Sequence, residues 1–132
     1  MTPCRCPEGV GLDIVGRDEL KGLVTRRWFL RYCYAPEEIE QARGLRKERR
    51  LEYLAGRFAA KEAVLKALGR GLLQGIAPRS IHIKRAADGS PRVELRDEAA
   101  KAAPHSSVLV SITHKGTAVA AVAVLTHSGT HA

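Results

Sequence analysis

The sequence predicts an α+β fold, a single domain in which early helices pack on an antiparallel sheet that is completed late in the chain. Apolar residues recur with helical spacing over residues 46–68, and apolar and polar residues alternate after residue 80. The chain has 132 residues, of which 45% are hydrophobic, so it is long enough to bury a core without disulfides or a structural metal.

The first quarter of the chain predicts a tail, a strand and a helix. Residues 1–8 contain two prolines and no apolar period, which predicts a flexible N-terminal tail. Residues 9–15 are largely apolar and predict a strand. A helix is expected over residues 17–31, because apolar side chains recur there at helical spacing: Leu20, Leu23, Val24 and Trp28.

Two further helices are expected before residue 70. Pro36, followed by two glutamates, favours a helix start, and Gly44 ends that helix. The strongest helical pattern covers residues 46–68, with Gly69 and Gly71 as its stop signal.

The second half changes to the period of strands. Residues 81–95 predict a hairpin around Asp88 and Gly89, followed by a short helix over residues 97–103. Two more strands are expected over residues 108–112 and 117–125. Residues 127–132 predict a polar C-terminal tail, which leaves one domain over residues 9–126.

Charge and cysteine content restrict the partners and the compartment. The 22 Lys and Arg residues against 14 Asp and Glu residues give a net charge of +8, which favours anionic partners. Three cysteines are a poor disulfide framework and predict free thiols in a reducing compartment. The N-terminus lacks the apolar core of a signal peptide, and residues 118–125 are too few to span a membrane. We therefore expect a cytoplasmic protein that does not bind membranes.

Two carboxylates interrupt apolar patterns and are the candidate site residues. Asp13 lies within the first strand, and Glu62 lies on the apolar stripe of the longest helix. Asp13 could instead cap the next helix, and Glu62 could pair with Lys66 four residues later. Three cations near Glu62, however, favour a Mg²⁺ site that handles phosphates: Arg57, Lys61 and Lys66.

Four sequence blocks resemble those of the holo-acyl-carrier-protein synthases, the small single-domain 4′-phosphopantetheinyl transferases. They are GVGLDIV around Asp13, RFAAKEAVLKALGRG from Arg57, ADGSPRVEL from Ala87 and SITH from Ser111. The blocks occur in family order, and the resemblance covers about residues 9–125.

The resemblance implies the 4′-phosphopantetheinyl transferase fold and Mg-dependent transfer of the arm of coenzyme A to a serine of an apo acyl carrier protein. Asp13 and Glu62 would hold Mg²⁺, and Glu62, directly or through a water on the metal, would be the base for the serine proton. Arg57, Lys66 and His114 match positions near the phosphates of coenzyme A. The family also implies a homotrimer with active sites between subunits, to which the apolar strand over residues 118–125 could contribute.

The sequence departs from the family pattern at three positions. Gly16, Glu19 and Ser90 stand where the family commonly has Glu, Arg and Lys. The first two lie in the segment that docks the acidic carrier protein in this family, so the choice of carrier protein is open between fatty acid, polyketide and peptide synthetase types. A basic docking face could be restored by nearby arginines: Arg17, Arg26, Arg27 and Arg31. The cluster over residues 43–50 could contribute to it.

Two other functions are compatible with parts of the sequence. A non-catalytic relative that binds carrier proteins is disfavoured because both Asp13 and Glu62 are present. A basic nucleic-acid-binding module would explain the charge, but aromatic residues make up only 5% of the chain. No RNA-recognition, zinc-finger or helix-turn-helix pattern occurs, so we expect no nucleic-acid partner.

Overall fold

A computed structural model describes residues 4–70 and 74–129, with side chains for residues 7–70 and 74–127. The α+β class is confirmed, and the helices precede most of the strands. The elements of the described residues, in order, are β1 (Cys4–Gly16), α1 (Arg27–Cys33), α2 (Pro36–Arg43), α3 (Lys47–Ala67), β2 (Ile81–Arg85), β3 (Pro91–Leu95), α4 (Asp97–Ala102), β4 (Ser106–Lys115) and β5 (Ala118–Gly129).

The strands form two antiparallel sheets. One has the order β1-β5-β4, and β2 pairs with β3 in a separate hairpin. In the larger sheet Asp13 lies opposite Ala121 and Leu12 lies opposite Val122. Because side chains alternate along a strand, Val15 and Ala121 face the core, whereas Leu12 faces outward.

Helix α3 packs against the inner face of the larger sheet and carries the core. Its buried side is rich in alanine, which allows close approach to the strands: Ala55, Ala59, Ala60, Ala63 and Ala67. Gly69 has φ of 74°, and the amide of Arg70 donates to the carbonyl of Leu65 at 2.8 Å, so Gly69 ends the helix as predicted. Gly71 lies outside the described residues. In the described part of the chain no helix is both long and apolar enough to cross a membrane.

The helix predicted over residues 17–31 is wrong in its length. Two 3-10 turns, Arg17–Leu20 and Leu23–Thr25, precede the single short helix α1. The Thr25 hydroxyl donates to the carbonyl of Gly22, and Arg26 is extended, with φ −90° and ψ 122°. This local hydrogen bond competes with helix formation, so the apolar spacing is realised only in part and Trp28 is 63% exposed.

Both predicted tails are partly strand. β1 begins at Cys4, with an irregularity between Pro7 and Gly9, and β5 continues to Gly129. Backbone pairing between the two strands, such as Cys6 opposite His127, extends the sheet beyond the apolar pattern. The pairing was not predicted because these segments are polar or contain proline and show no alternation of apolar residues. Residues 1–3 and 130–132 lie outside the described residues.

Candidate active site

The two candidate carboxylates lie on different elements that pack together. Asp13 is on β1 and Glu62 is on α3, and both are next to Lys66 of α3. The Lys66 ammonium donates to Asp13 Oδ1 at 3.1 Å and to the carbonyl of Leu12 at 2.9 Å. Lys66 therefore pairs with Asp13. The alternative that Asp13 caps the next helix is not realised, since Gly16 begins the next turn and no side chain caps it.

Glu62 holds an oxygen that has no partner in the described structure. Its Oε1 is buried and makes no hydrogen bond. Burial raises the pKa of the Glu62 carboxyl, the negative charge of Asp13 raises it further, and Lys66 offsets part of the shift. The Asp13–Glu62 pair is thus a concentration of negative charge that a cation would relieve.

Two glycines of β1 allow the strand that carries Asp13 to lie close to the helix that carries Glu62. A Cβ on Gly11 would overlap the carbonyl oxygen of Ala63, and a Cβ on Gly9 would overlap that of Ala67. Strand β1 therefore lies directly on the backbone of α3, which brings Asp13 within range of Glu62. The glycines of the GVGLDIV block are explained by this contact rather than by a turn.

Arg57 points into a separate cleft from the same helix. The cleft has a volume of about 700 Å³ and lies between α2, α3, β4 and the β2–β3 hairpin. The guanidinium of Arg57 stacks 4.3 Å from the ring centre of Tyr53, and its buried Nε makes no hydrogen bond in the described structure. Arg57 and Glu62 are five residues apart, about 7.5 Å along the helix axis.

His114 lines the opposite wall of this cleft, near the end of β4. Its Nε2 lies 3.1 Å from Glu52 Oε1 on α3, so the histidine spans the gap between sheet and helix. The structure thus brings Arg57 and His114, two of the three residues expected near the coenzyme A phosphates, to one cleft. Asp13, Glu62 and Lys66 lie outside its lining.

The sequence analysis missed several residues of the cleft. Its charged lining contains four cations, two glutamates and two histidines: Arg49, Arg57, Lys84, Arg85, Glu37, Glu52, His82 and His114. Tyr53 lies four residues before Arg57, a helical spacing that could have indicated it. Glu52 had no such signal, because its partner His114 is distant in the chain.

Acidic groups at the cleft are neutralised by neighbours. Arg96 binds Glu37 through two hydrogen bonds, and this lowers the pKa of Glu37 to about 2. The Arg96 guanidinium also donates to His82 Nδ1 at 2.8 Å. Ser90 is the third residue that differs from the family pattern, and its hydroxyl donates to Asp88 within the hairpin turn. Paired acids leave the cleft positive overall, which suits an anionic ligand.

Lys61 does not join the phosphate-handling cations, contrary to its grouping with Arg57 and Lys66. Its side chain is fully buried and its ammonium lies 2.6 Å from Glu38 Oε1. Neighbours on a helix point about 100° apart, so Lys61 faces α2 while Glu62 faces β1.

The predicted docking arginines occupy the segment after β1. Arg26 and Arg27 are exposed beside the exposed Trp28, whereas Arg17 is half-buried and its amide donates to the carbonyl of Thr117. Arg50, from the basic cluster over residues 43–50, donates to the carbonyls of Ala42 and Leu45 and holds the α2–α3 connection.

Comparison with known proteins defines the class of this enzyme. The family model of the 4′-phosphopantetheinyl transferase superfamily matches residues 9–123. Those residues include both carboxylates and the whole cleft lining. The chain belongs to this superfamily and, within it, to the holo-acyl-carrier-protein synthases.

The relatives agree in sequence and in fold. The chain is 40% identical over 119 residues to the holo-[acyl-carrier-protein] synthase of Chlorobium chlorochromatii, covering 88% of this chain and 98% of that protein. It resembles the Bacillus anthracis holo-(acyl-carrier-protein) synthase solved with CoA (3′,5′-ADP), with TM-score 0.81, 28% identity and coverage of 95% and 100%. The Plasmodium yoelii acyl carrier protein synthase with ADP bound gives TM-score 0.84, 29% identity and coverage of 96% and 99%.

Proposed function

We propose that this enzyme transfers the 4′-phosphopantetheine arm of coenzyme A to a serine hydroxyl of an apo acyl carrier protein. A bond forms between the serine oxygen and the phosphorus that carries the arm, and the pyrophosphate bond breaks to release adenosine 3′,5′-bisphosphate. The observation that carries this proposal is the Asp13–Glu62 pair beside Lys66 on α3, the helix that also lines a basic cleft of ligand size.

Asp13 and Glu62 are suited to hold Mg²⁺. The unpartnered Oε1 of Glu62 and the nearby carboxylate of Asp13 are hard oxygen donors that a divalent cation would satisfy. No cluster of three or more His, Cys, Asp or Glu ligands occurs among the described residues. Mg²⁺ in proteins is commonly bound by one or two carboxylates, with water and substrate phosphates as its other ligands. At a pyrophosphate it would neutralise negative charge.

The cations of the chain would bind the phosphates, and Glu62 would take the serine proton. Arg57, whose Nε has no partner in the described structure, would bind a phosphate on the nucleotide side of coenzyme A. His114 lies across the cleft from Arg57. Lys66 holds Asp13 in place and is half-exposed, so it can also contact a phosphate. Glu62, which would hold Mg²⁺ at the pyrophosphate, is the candidate base, acting directly or through a water on the metal.

Transfer is tested by intact-protein mass spectrometry of apo carrier proteins incubated with the enzyme, coenzyme A and Mg²⁺. We expect a mass gain of one phosphopantetheine arm on at least one carrier protein of fatty acid, polyketide or peptide synthetase type. Chelation of Mg²⁺ should abolish the gain, and added Mg²⁺ should restore it. An unchanged rate after chelation would contradict the metal role, and coenzyme A binding without transfer to any carrier would favour a non-catalytic relative.

The carrier protein would dock on the basic segment after β1, at Arg17, Arg26 and Arg27. Carrier proteins of this class are expected to be acidic, and Trp28, exposed in the first turn of α1 next to Arg27, adds apolar area. Glu19 is exposed in the same segment, at a position where the family commonly has Arg. Its negative charge would repel an acidic carrier protein.

Charge reversal tests the docking surface. The double variant Arg26→Glu/Arg27→Glu should raise KM for the carrier protein by about tenfold or more, because each rim charge guides the encounter. Its affinity for coenzyme A, measured by calorimetry, should not change. Arg79→Glu, an exposed arginine on the turn before β2, is the matched control. An unchanged KM at low salt would place docking elsewhere.

A homotrimer with active sites between subunits is supported by an uncovered apolar sheet face. Val10, Leu12 and Ile14 of β1 are 68%, 66% and 71% exposed, and they adjoin Val122 of β5 and Leu109 of β4. Contiguous apolar area of this kind indicates an interaction surface. Asp13 faces α3 on the other side of β1, which is an edge strand of the sheet, so a neighbouring copy seated on the apolar face would reach the carboxylates around this edge.

A charge on this face should separate the subunits. Val122→Glu places a carboxylate at the centre of the face, where burial in an interface without a partner is unfavourable. We expect light scattering to give three times the 14.4 kDa chain mass for the wild type and the chain mass for the variant. Ala102→Glu, on exposed α4, should remain trimeric. A wild-type protein that is monomeric at assay concentration contradicts the trimer.

A further inference from the structure

A buried ion pair on the far side of α3 has no part in the chemistry described above. Lys61 Nζ and Glu38 Oε1 are 2.6 Å apart, and their side chains are 0% and 1% exposed. Burial lowers the pKa of Lys61, and the nearby Glu38 carboxylate opposes that shift. An isolated buried charge is unfavourable, so each member depends on the other.

Hydrogen bonds satisfy the remaining polar atoms of the pair. The Lys61 ammonium donates to the carbonyls of Pro78 at 3.0 Å and Ile81 at 2.6 Å. Glu38 Oε1 accepts from the amide of Ala35 at 2.7 Å, and Oε2 accepts from the amide of Ile83 at 3.1 Å. All three ammonium donors and both carboxylate oxygens are therefore used.

These bonds join three separate elements at one point. Glu38 is in the first turn of α2, Lys61 is in the middle of α3, and the backbone groups belong to β2 and the turn before it. The same three elements form walls of the cleft: α2 contributes Glu37, α3 contributes Arg57 and β2 contributes Ile83 and Lys84. The neighbours Glu37 and Glu38 of α2 point about 100° apart, so that Glu37 lines the cleft and Glu38 is buried against Lys61.

We propose that Lys61 and Glu38 are a positioning pair that sets the spacing of these cleft walls and thereby the affinity for coenzyme A. The pair touches none of the reacting groups and acts through β2 and α3. The inference rests on the proposed function only for the identity of the ligand. An apolar pair of similar volume would fill the same space, but it could not bind the four backbone groups that Lys61 and Glu38 hold in register.

The test is the double variant Lys61→Met/Glu38→Leu. The conservative pair Lys61→Met/Glu38→Gln also leaves no unpaired buried charge and retains one oxygen acceptor for an amide. We expect the double variant to fold, with Kd and KM for coenzyme A raised about tenfold or more and kcat changed less, since misplacement of binding groups weakens binding first. Amide hydrogen exchange over β2 should accelerate by a similar factor without any ligand. Lys101→Met, on exposed α4, is the matched control.

The outcomes separate this proposal from the proposed function. If the folded variants bind coenzyme A with wild-type Kd and exchange at wild-type rates over β2, the positioning role is overturned. A fall in kcat with unchanged KM also overturns it, because the pair would then act in the chemical step. If the wild type binds no coenzyme A, the proposed function fails, and the exchange rates over β2 still decide whether the pair holds this wall. Should the double variant not fold, the conservative pair Lys61→Met/Glu38→Gln supplies the same comparison.

Discussion

Glu62→Gln is expected to lower kcat for phosphopantetheine transfer by about a thousandfold while the enzyme stays folded. Glutamine keeps the size of the side chain but removes both the negative charge for Mg²⁺ and the base for the serine proton, a loss typical of general-base removal. Because Glu62 Oε1 is buried without a partner in the described structure, the neutral variant should unfold at no lower temperature than the metal-free wild type. Single-turnover mass spectrometry and thermal unfolding measure the two effects.

Two companion variants make this result specific. Asp13→Asn should lose activity to a comparable degree, since it removes the other carboxylate charge, although an amide oxygen can still accept from Lys66. Glu48→Gln, an exposed acid in the first turn of α3, is the matched control and should retain wild-type kcat. If Glu62→Gln keeps more than about a tenth of the wild-type kcat, Glu62 is neither the base nor an essential metal ligand.

Gly11→Ala is expected to destabilise the enzyme by about 3 kcal/mol and to abolish most of its activity. The added Cβ would overlap the carbonyl oxygen of Ala63, a backbone atom that cannot rotate away. Strand β1 would have to move off α3, and Asp13 would move away from Glu62 with it. Chemical denaturation measures the stability, and Mg²⁺-dependent transfer measures the activity of the fraction that remains folded.

Gly22→Ala is the matched control for the added methyl group. Gly22 has φ of −78° and ψ of −34°, and a Cβ there meets nothing within 4 Å. Its stability should be unchanged or increased by about 0.5 kcal/mol, because alanine restricts the unfolded chain. Wild-type stability and activity in Gly11→Ala would show that β1 and α3 are farther apart than described. It would also show that this contact does not determine the position of Asp13 relative to Glu62.

Local patterns predicted most of the helices and strands, and their failures have a physical cause. Helix α3 was predicted within one residue at each end because its apolar period, its long run and Gly69 all agree. The segment after β1 was predicted as one helix because its apolar spacing is helical. There, the hydrogen bond of Thr25 and the extended backbone at Arg26 interrupt the helix. Apolar spacing contains no information about hydrogen bonds that compete with helix formation.

The sequence by itself determined the fold class, the basic character and the two acids that break apolar patterns, because residue type and spacing encode all three. The four blocks also indicated the family to which the chain belongs. Tertiary structure alone decided what each charge does. Lys61 and Glu62 are adjacent in sequence, yet one is locked to Glu38 and the other faces Asp13.

The reason is geometric. Adjacent helical residues point about 100° apart, and their partners come from α2, β1 and β2, which lie far away in the chain. Only the packing of those elements on α3, with glycines where β1 meets the helix, determines which charge is buried, which is paired and which is left for a ligand.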